Sequence, residues 1–223
     1  MSPVVDSRPL ILWGATGQAK VLKEFLPRLG WRLVALFDNN PSILSPFAEV
    51  PLLGGKENFA DWLSSQDEIP SALAAIGGDR GRDRLQIQRW LAEFGCWIPI
   101  ACHPTAWIAG DARIGAGCQI LARSAVGTES ILEDAVIINT SASVDHECHL
   151  GEGSHIGPGA VVCGCVSVGS GAFIGAGATV LPRLTIGSNT VVGAGSVVTA
   201  NLPPDVVAVG NPARIIQIRN AAQ

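Results

Sequence analysis

Residues 150–168 read LGEGSHIGPGAVVCGCVSV, and an aliphatic residue returns at every sixth position of this stretch. Outward in both directions the same spacing continues without interruption from Ile108 to Val198. The sixteen aliphatic positions are Ile108, Ile114, Ile120, Val126, Leu132, Ile138, Val144, Leu150, Ile156, Val162, Val168, Ile174, Val180, Ile186, Val192 and Val198. The fourth residue after each of them is small or aliphatic. A helix or coiled coil needs spacings of three and four residues, so the repeat excludes both.

This period predicts an all-β, left-handed parallel β-helix from about Pro104 to Pro212. Three hexads form one triangular coil, so sixteen hexads give about five coils, stacked at the ~4.8 Å spacing of hydrogen-bonded strands. Residues eighteen apart then lie directly above one another. Glycine follows many of the aliphatic residues, and we expect these glycines to turn the corners with φ > 0. They are Gly115, Gly151, Gly157, Gly175, Gly187 and Gly193.

The chain before the repeat alternates between strand and helix patterns. The predicted elements are a strand at 10–13, a helix at 18–29, a strand at 32–37, a strand at 72–76, a helix at 80–94 and a strand at 97–100. This order predicts an α/β, Rossmann-like βαβ domain over residues 1–100. The β-helix domain with a short C-terminal tail then occupies residues 101–223.

A glycine-rich turn, residues 14–17, separates the first strand from the first helix, and Asp38 ends the second strand. A helix N-terminus after such a turn is a natural phosphate site, and an acidic residue at that position can contact a ribose. Gly14 and Gly17 form only part of the dinucleotide fingerprint. Two interpretations of this turn are therefore open: it binds a nucleotide or nucleotide sugar, or it has a purely structural role.

Composition limits the classes of partner. The net charge of −4 and the absence of a dense Lys/Arg cluster argue against nucleic acid or an anionic membrane surface. No apolar run approaches the ~20 residues of a membrane span, and no signal peptide is apparent, so we expect a cytoplasmic protein without membrane insertion. The six cysteines form no CxxC pair and are expected to be reduced thiols without disulfides.

Three of the four histidines, His146, His149 and His155, fall within ten residues of the repeat. His146 is the third residue of its hexad and should point outward or lie at a corner, where Glu147 would orient its ring. A general base and a solvated polar corner both fit this pattern. His149 and His155 belong to successive hexads and so to different faces, which leaves zinc binding by the three histidines possible only across a subunit boundary.

Two further residues are candidates for the chemistry near His146. Gly164 lies eighteen residues later, one coil above, where an unshielded N–H would stabilise an oxyanion. Asn139 holds an outer position and offers an amide near the same region. Cys118 and Cys148 occupy the interior small-residue register, so we expect them to be packing residues rather than nucleophiles.

The sequence resembles the hexapeptide-repeat acyltransferases, and among them the bacterial sugar acetyltransferases typified by the sialic-acid O-acetyltransferase and the bacillosamine-pathway N-acetyltransferase. The resemblance covers nearly the whole chain. The segments that carry it are residues 14–20 (GATGQAK), 37–39 (FDN), 75–77 (AIG), 138–140 (INT), 144–148 (VDHEC), 154–156 (SHI) and 210–213 (GNPA).

The resemblance implies direct acetyl transfer from acetyl-CoA to an amino or hydroxyl group of a nucleotide-linked sugar, in surface glycan or glycoconjugate biosynthesis, without a metal. It implies His146 as general base, supported by Glu147, with Asn139 and His155 placing the acceptor and the Gly164 amide holding the thioester oxygen. It also implies a homotrimer. The implied nucleotide-sugar contacts are Gly14, Thr16, Gly17, Gln18, Asp38 and Asn39, and the implied CoA contacts are Gly175, Ala176, Gly193, Ala194, Gly210, Pro212 and Arg214.

One position departs from the family. Gln18 stands in the glycine-rich turn where the family commonly has histidine, and glutamine hydrogen-bonds but does not titrate. The sugar, the acetylated position, the choice between nitrogen and oxygen, and the nucleotide base all stay open. Two other functions are compatible with the fold: a non-catalytic nucleotide-sugar-binding trimer, and an acetyltransferase of a free small acceptor such as serine.

Overall fold

The computed structural model describes residues 7–219. The outer ends of the two predicted domains, residues 1–6 and 220–223, lie outside the described residues. Within the described part the chain forms a small layered α/β unit followed by a parallel β-helix. No helix in residues 7–219 has the length and apolarity needed to cross a membrane.

The N-terminal unit has a three-stranded parallel sheet in the order β2-β1-β3. Its elements are β1 (Arg8–Trp13), α1 (Gly17–Phe25), a short 3-10 helix (Leu26–Leu29), β2 (Trp31–Phe37), α2 (Lys56–Ser64), β3 (Ser71–Ala74) and α3 (Gly81–Glu93). From Leu10 to Trp13 strand β1 is apolar and buried, as expected for a strand with both faces covered. Leu10 and Leu12 pack with α1, while Ile11 and Trp13 face Phe59 of α2 and the buried side of α3.

Three predictions for this unit differ from the structure. The predicted helix at 18–29 is α-helical only to Phe25, since Pro27 lacks the N–H that an α-helical turn requires. The segment at 97–100 forms no strand and contains Pro99, which cannot donate to a ladder. Helix α2 was not predicted, and β3 ends at Ala74 rather than at Ile76.

The β-helix is made of two-residue strands, β4 to β20 in chain order, arranged in three parallel sheets. The first sheet contains Ala101–Cys102, Gln119–Ile120, Ile137–Ile138, His155–Ile156, Phe173–Ile174 and Val191–Val192. The second contains Trp107–Ile108, Ala125–Val126, Ser143–Val144, Val161–Val162, Thr179–Val180 and Val197–Val198. The third contains Arg113–Ile114, Ile131–Leu132, His149–Leu150, Ser167–Val168 and Thr185–Ile186.

The predicted eighteen-residue register is confirmed: Ile138 pairs with Ile156, which pairs with Ile174. The repeated aliphatic side chains fill the interior and, away from the first coils, are almost entirely buried. The solenoid has about six turns rather than five, because its strands begin at Ala101 and a hairpin extends the first sheet. That hairpin consists of β21 (Val206–Gly210) and β22 (Ala213–Ile218), which pair antiparallel.

The expected role of the repeated glycines was wrong. The glycines that follow the aliphatic residues do not have positive φ. In the hexads that begin at Ile114 through Val192, the third residue after the aliphatic has positive φ, and it is often not glycine, as in Glu147 (φ 55°) and Cys165 (φ 60°). A Cβ at Gly157 would lie 2.7 Å from the Ile174 carbonyl oxygen one coil above. These glycines therefore permit close stacking of coils rather than a special backbone conformation.

The first sheet faces the N-terminal unit. Leu121 and Ile137 of the β-helix share an apolar cluster with β1 and α1. Arg84 of α3 is fully buried at this contact and donates hydrogen bonds to the carbonyl oxygens of Ile76, Ala135, Gly153 and Ser154. These bonds link the chain just before the Gly77–Gly78 loop to two coils of the β-helix.

Candidate active site

His146 and Glu147 lie on the turn after the strand Ser143–Val144, at the corner between the second and third sheets. His146 Nδ1 is 2.9 Å from Glu147 Oε2, and both side chains are about half exposed. A carboxylate only accepts hydrogen bonds, so this contact places the imidazole proton on Nδ1. In the neutral ring with this tautomer, Nε2 has a free lone pair, as a proton acceptor requires.

Gly164 lies one coil above His146, as predicted from the eighteen-residue spacing. A Cβ at Gly164 would be 2.4 Å from His146 Nε2, so the Nε2 edge of the ring faces the glycine backbone. The Gly164 N–H donates to no acceptor among residues 7–219, while its carbonyl accepts a bond from the Arg183 N–H. A free N–H beside a free imidazole nitrogen suits stabilisation of an oxyanion close to the base.

Asn139 and His155 form a second polar pair, at the edge of the first sheet. His155 Nδ1 is 3.0 Å from the Gly78 carbonyl oxygen, which places its proton on Nδ1, and Nε2 then accepts a bond from Asn139 Nδ2 at 3.0 Å. Burial and then the charge of Arg84 lower the pKa of His155 to about 4. His155 is therefore a neutral ring that orients the Asn139 amide.

The structure does not bring these two groups together within one chain. Asn139 lies at the corner between the first and second sheets, whereas His146 lies at the corner between the second and third. The prediction that Asn139 lies near His146 is therefore wrong within one chain, because the two residues occupy different corners of the coil. His149 belongs to the third sheet, where it contacts Glu133, so it faces a different side from His155, as the hexad positions predicted.

A cleft of about 380 Å³ opens at the N-terminus of α1. All six residues predicted to contact the nucleotide sugar line it: Gly14, Thr16, Gly17, Gln18, Asp38 and Asn39. No side chain caps α1, and Gly17 and Gln18 of its first turn line the cleft with N–H groups that donate to no acceptor among residues 7–219. A helix N-terminus with free N–H groups binds phosphate oxygens.

The turn that forms the cleft is held by specific contacts. Gly14 has φ 107°, and a Cβ there would lie 2.5 Å from the Ala75 carbonyl oxygen, so only glycine fits. The two carboxylate oxygens of Asp38 accept hydrogen bonds of 2.9 Å from the N–H groups of Ala15 and Asn40. Asp38 thus fixes both loops of the cleft and retains lone pairs for a ligand hydroxyl.

Residues 165–200 of the β-helix match the bacterial transferase hexapeptide (six repeats) family. The whole chain is similar to PerB from Caulobacter crescentus, solved with CoA and GDP-perosamine: 37% identity over 94% of this chain and 97% of that one, TM-score 0.85. It is also similar to the acetyltransferase domain of PglB from Neisseria gonorrhoeae, solved with acetyl coenzyme A: 32% identity over 94% and 100%, TM-score 0.83. WeeI from Acinetobacter baumannii shares the fold at 23% identity over 94% and 100%, TM-score 0.83.

This chain belongs to the hexapeptide-repeat sugar acetyltransferase family. It is accordingly an acyltransferase, and acetyl-CoA is its cosubstrate.

The residues that the resemblance assigned to CoA in this family lie along the later coils. Gly175 and Gly193 follow Asn139 by two and three coils, so they occupy the same corner as Asn139. Ala176 and Ala194 come directly after them, and a Cβ at Gly175 would meet the Ala194 nitrogen at 2.6 Å. The remaining three residues belong to the terminal hairpin and its turn, namely Gly210, Pro212 and Arg214.

Sequence reasoning missed three polar residues at the cleft and its supports. Gln119 is fully buried, accepts a 2.6 Å bond from Gln18 and donates to the Ala74 carbonyl. Arg80 lines the cleft from the loop after β3, and Arg84 fixes that loop from below. The signal for Gln119 lies in the other outward positions of its sheet, which include the apolar residues Ile137, Phe173 and Val191 and so indicate a covered face. A glutamine among them is expected to be buried and hydrogen-bonded.

The six cysteines are free. Burial raises the pKa of Cys118 to about 12 and that of Cys148 to about 11, so both thiols stay protonated and unreactive. Their prediction as packing residues is confirmed by their places in the β-helix core.

Proposed function

We propose that this enzyme transfers the acetyl group of acetyl-CoA directly to the amino group of a nucleotide-linked sugar, with His146 as general base. The observation that carries the proposal is the arrangement of His146: Glu147 holds Nδ1, and the free Nε2 faces the Gly164 backbone one coil above. The name of a 36% identical relative, GDP-perosamine N-acetyltransferase from Caulobacter crescentus, supports nitrogen as the acceptor atom.

In the proposed reaction the sugar amine attacks the thioester carbonyl while Nε2 of His146 takes a proton from the amine nitrogen. A C–N bond forms, and the oxyanion accepts a hydrogen bond from the Gly164 N–H. Collapse of this intermediate breaks the C–S bond and releases CoA as a thiolate, which recovers a proton. Glu147 stabilises the imidazolium that exists between these steps, because its carboxylate lies 2.9 Å from Nδ1.

The cleft at α1 is the proposed nucleotide-sugar site. The diphosphate would meet the free N–H groups at Gly17 and Gln18, with the guanidinium of Arg80 on the same cleft as a counter-charge. Asp38 and Asn39 would meet the nucleoside. We propose on this basis that residues 1–100 are a Rossmann-like nucleotide-sugar-binding domain, and that residues 101–223 are a left-handed β-helix acetyltransferase domain.

The active site is proposed to be completed between subunits of a homotrimer. The cleft adjoins the first sheet through Gln119 and His155, whereas His146 lies at the opposite corner of its coil. Neither the cleft nor the Asn139 corner, along which CoA is proposed to lie, is adjacent to His146 within one chain. A neighbouring subunit would supply the missing half. The six free cysteines support a reducing, cytoplasmic location.

The test is release of free CoA, followed with a thiol reagent, from acetyl-CoA and a panel of UDP-, GDP-, dTDP- and CMP-linked amino and neutral sugars. Wild type, His146→Ala and His149→Ala are compared, because His149 is a second exposed histidine on the same turn of the solenoid. Reactions without acceptor correct for the six protein cysteines. Acceptor-dependent release by wild type and His149→Ala, lost in His146→Ala, is the expected result.

Two other results would replace this proposal. Sugar-nucleotide binding without release by any acceptor would identify a non-catalytic binding protein. Release with free serine or another small acceptor, but with no sugar nucleotide, would identify a small-molecule acetyltransferase.

A further inference from the structure

Three side chains that are able to bind a metal converge beside the proposed base. A ring nitrogen of His146, a carboxylate oxygen of Glu147 and the Sγ atom of Cys165 all lie within 4.8 Å of one another. Glu147 Oε2 is 2.9 Å from Nδ1 and 3.7 Å from Sγ. The group combines an imidazole, a carboxylate and a thiol, the ligand types that zinc takes in proteins.

The backbone that carries these ligands is fixed by the stacking of coils. Glu147 and Cys165 are eighteen residues apart and occupy equivalent corner positions with φ near 55° and 60°. The Cys165 N–H donates a 2.9 Å hydrogen bond to the His146 carbonyl oxygen, which joins the two turns directly. The three ligands therefore come from one rigid edge of the solenoid rather than from separate mobile loops.

The spacing fits a tetrahedral ion after small side-chain adjustments. Zinc bonds of about 2.0–2.3 Å at tetrahedral angles require ligand atoms roughly 3.3–3.6 Å apart. The sulfur–oxygen distance of 3.7 Å is already close to this value, and the nitrogen–oxygen distance of 2.9 Å must open slightly. The nitrogen–sulfur distance is at most 4.8 Å, so it must close by no more than about 1.3 Å. None of the three side chains is enclosed, so each is free to make that movement. The fourth position would be left to water.

We propose that Cys165, Glu147 and His146 form a binding site for a thiophilic divalent cation such as Zn²⁺, and that occupation of this site inhibits the enzyme. Binding would release the Cys165 thiol proton to solvent and shift the ring proton of His146 from Nδ1 to Nε2, so that the Nδ1 lone pair is free to bind the ion. A neutral imidazole bound through Nδ1 carries its proton on Nε2, which then has no lone pair for the substrate amine. The same ion would remove Glu147 from its contact with Nδ1.

The ion in this proposal is an inhibitor and not a cofactor, and its site differs from a set of three histidines across subunits. Thiolate and imidazole ligands favour Zn²⁺ or Co²⁺ over Mg²⁺. Inhibition by the ion rests on the proposed role of His146 as base, whereas binding of the ion rests on geometry alone. Binding and inhibition are therefore measured separately.

Binding is measured by titrating the full-length protein with Co²⁺, without CoA, and recording the thiolate-to-cobalt charge-transfer absorption. Wild type, Cys165→Ser and Cys163→Ser are compared, since Cys163 lies two residues away and is outside the ligand group. The band is expected in wild type and Cys163→Ser and lost in Cys165→Ser. Absence of the band in wild type, or its persistence in Cys165→Ser, would overturn the site.

Inhibition is measured as the initial rate of acetyl-sugar formation by mass spectrometry, because Zn²⁺ also binds the thiol of released CoA. Each variant is compared with its own metal-free rate. The inhibition constant for Zn²⁺ is expected to rise at least about tenfold in Cys165→Ser, and Mg²⁺ at equal concentration is expected to have no effect. Equal Zn²⁺ sensitivity of wild type and Cys165→Ser would overturn the inhibitory role. Full activity of His146→Ala would overturn the proposed base while leaving the cobalt result to decide the metal site.

Discussion

The Nε2 edge of the His146 ring lies against the α-carbon of Gly164, so closely that a Cβ on Gly164 would be 2.4 Å from Nε2. Gly164 is outside the set of positive-φ residues, so its backbone is open to any residue type. The position therefore requires glycine because of the ring and not because of the turn. A side chain at this position would displace the imidazole of His146, with little effect on the backbone of the turn.

Gly164→Ala is expected to lower kcat by about 10²-fold with little loss of stability, because the exposed imidazole can rotate away from a new methyl group at small cost and then no longer points at the acceptor. The kcat and the apparent melting temperature are measured together. Gly159→Ala is the matched control: it has open space but φ 64°, so alanine there is expected to lower stability by ~1 kcal/mol and leave kcat unchanged. An unchanged kcat in Gly164→Ala would contradict the proposed place of the base.

Glu147→Gln is expected to lower kcat, but by less than His146→Ala, whose loss as a general base is about 10²–10⁴-fold. Glutamine accepts a hydrogen bond from Nδ1 through its oxygen, but it lacks the charge that stabilises the imidazolium. Its amide can also donate to Nδ1, which moves the ring proton to Nε2 and disables the base. Rates are compared for the two variants with one sugar nucleotide. If Glu147→Gln were slower than His146→Ala, Glu147 would contribute to the reaction independently of His146, which would contradict its proposed supporting role.

The β-helix was predictable because the sequence repeats the same physical requirement sixteen times. Each hexad places one aliphatic side chain in the interior and one small residue near a corner. The buried positions of Ile156 and Ala160 could therefore be predicted from the hexad alone, without knowing which residues contact them. The role of the glycines was not predictable from the hexad pattern, because the contact at Gly157 is made by residue 174, one coil above. Helix α2 was missed for lack of a strong pattern, since its one buried side chain is Phe59.

The parts of the site that follow from the eighteen-residue register or from a local motif were predictable. The parts that depend on packing between the N-terminal unit and the β-helix were not. The register placed Gly164 above His146, and the glycine-rich turn placed Gln18 at a helix N-terminus. The pairing of Asn139 with His155 needed the position of the Gly78 carbonyl, which belongs to the N-terminal unit. Arg84 lies in a helix whose sequence reads as polar, so nothing local indicated that it would be buried.

Arg84→Met is expected to lower the free energy of unfolding by at least about 3 kcal/mol, since four carbonyl oxygens lose a charged donor and most are buried. The KM for the nucleotide sugar is expected to rise more than the KM for acetyl-CoA, because Ile76 and Gly77 line the cleft. Denaturation midpoints and both KM values are measured.

Arg89→Met is the control for Arg84→Met. Arg89 lies on the same helix and pairs with Glu152 of the β-helix, but its side chain is 59% exposed, and an exposed ion pair of this kind contributes no more than about 1 kcal/mol. Equal effects of the two substitutions on stability and on KM would show that the buried guanidinium has no special part in positioning the cleft.

His155 is expected to make the fold sensitive to mild acid. Its pKa is lowered to about 4 in the folded protein by burial and by Arg84, against 6.5 for the ordinary side chain. Between these two values the unfolded chain binds a proton that the folded chain does not, so stability falls as pH decreases from 6.5 to 4. The full difference is about 3 kcal/mol for each chain. Thermal unfolding is measured at a series of pH values. Between pH 7 and 4.5 the loss of stability is expected to be smaller in His155→Gln than in wild type. His149→Gln, which removes an exposed histidine, is expected to lose as much stability as wild type. If His155→Gln and wild type lose stability in parallel, the buried ring is protonated in the folded protein, and it cannot be the neutral acceptor that orients Asn139.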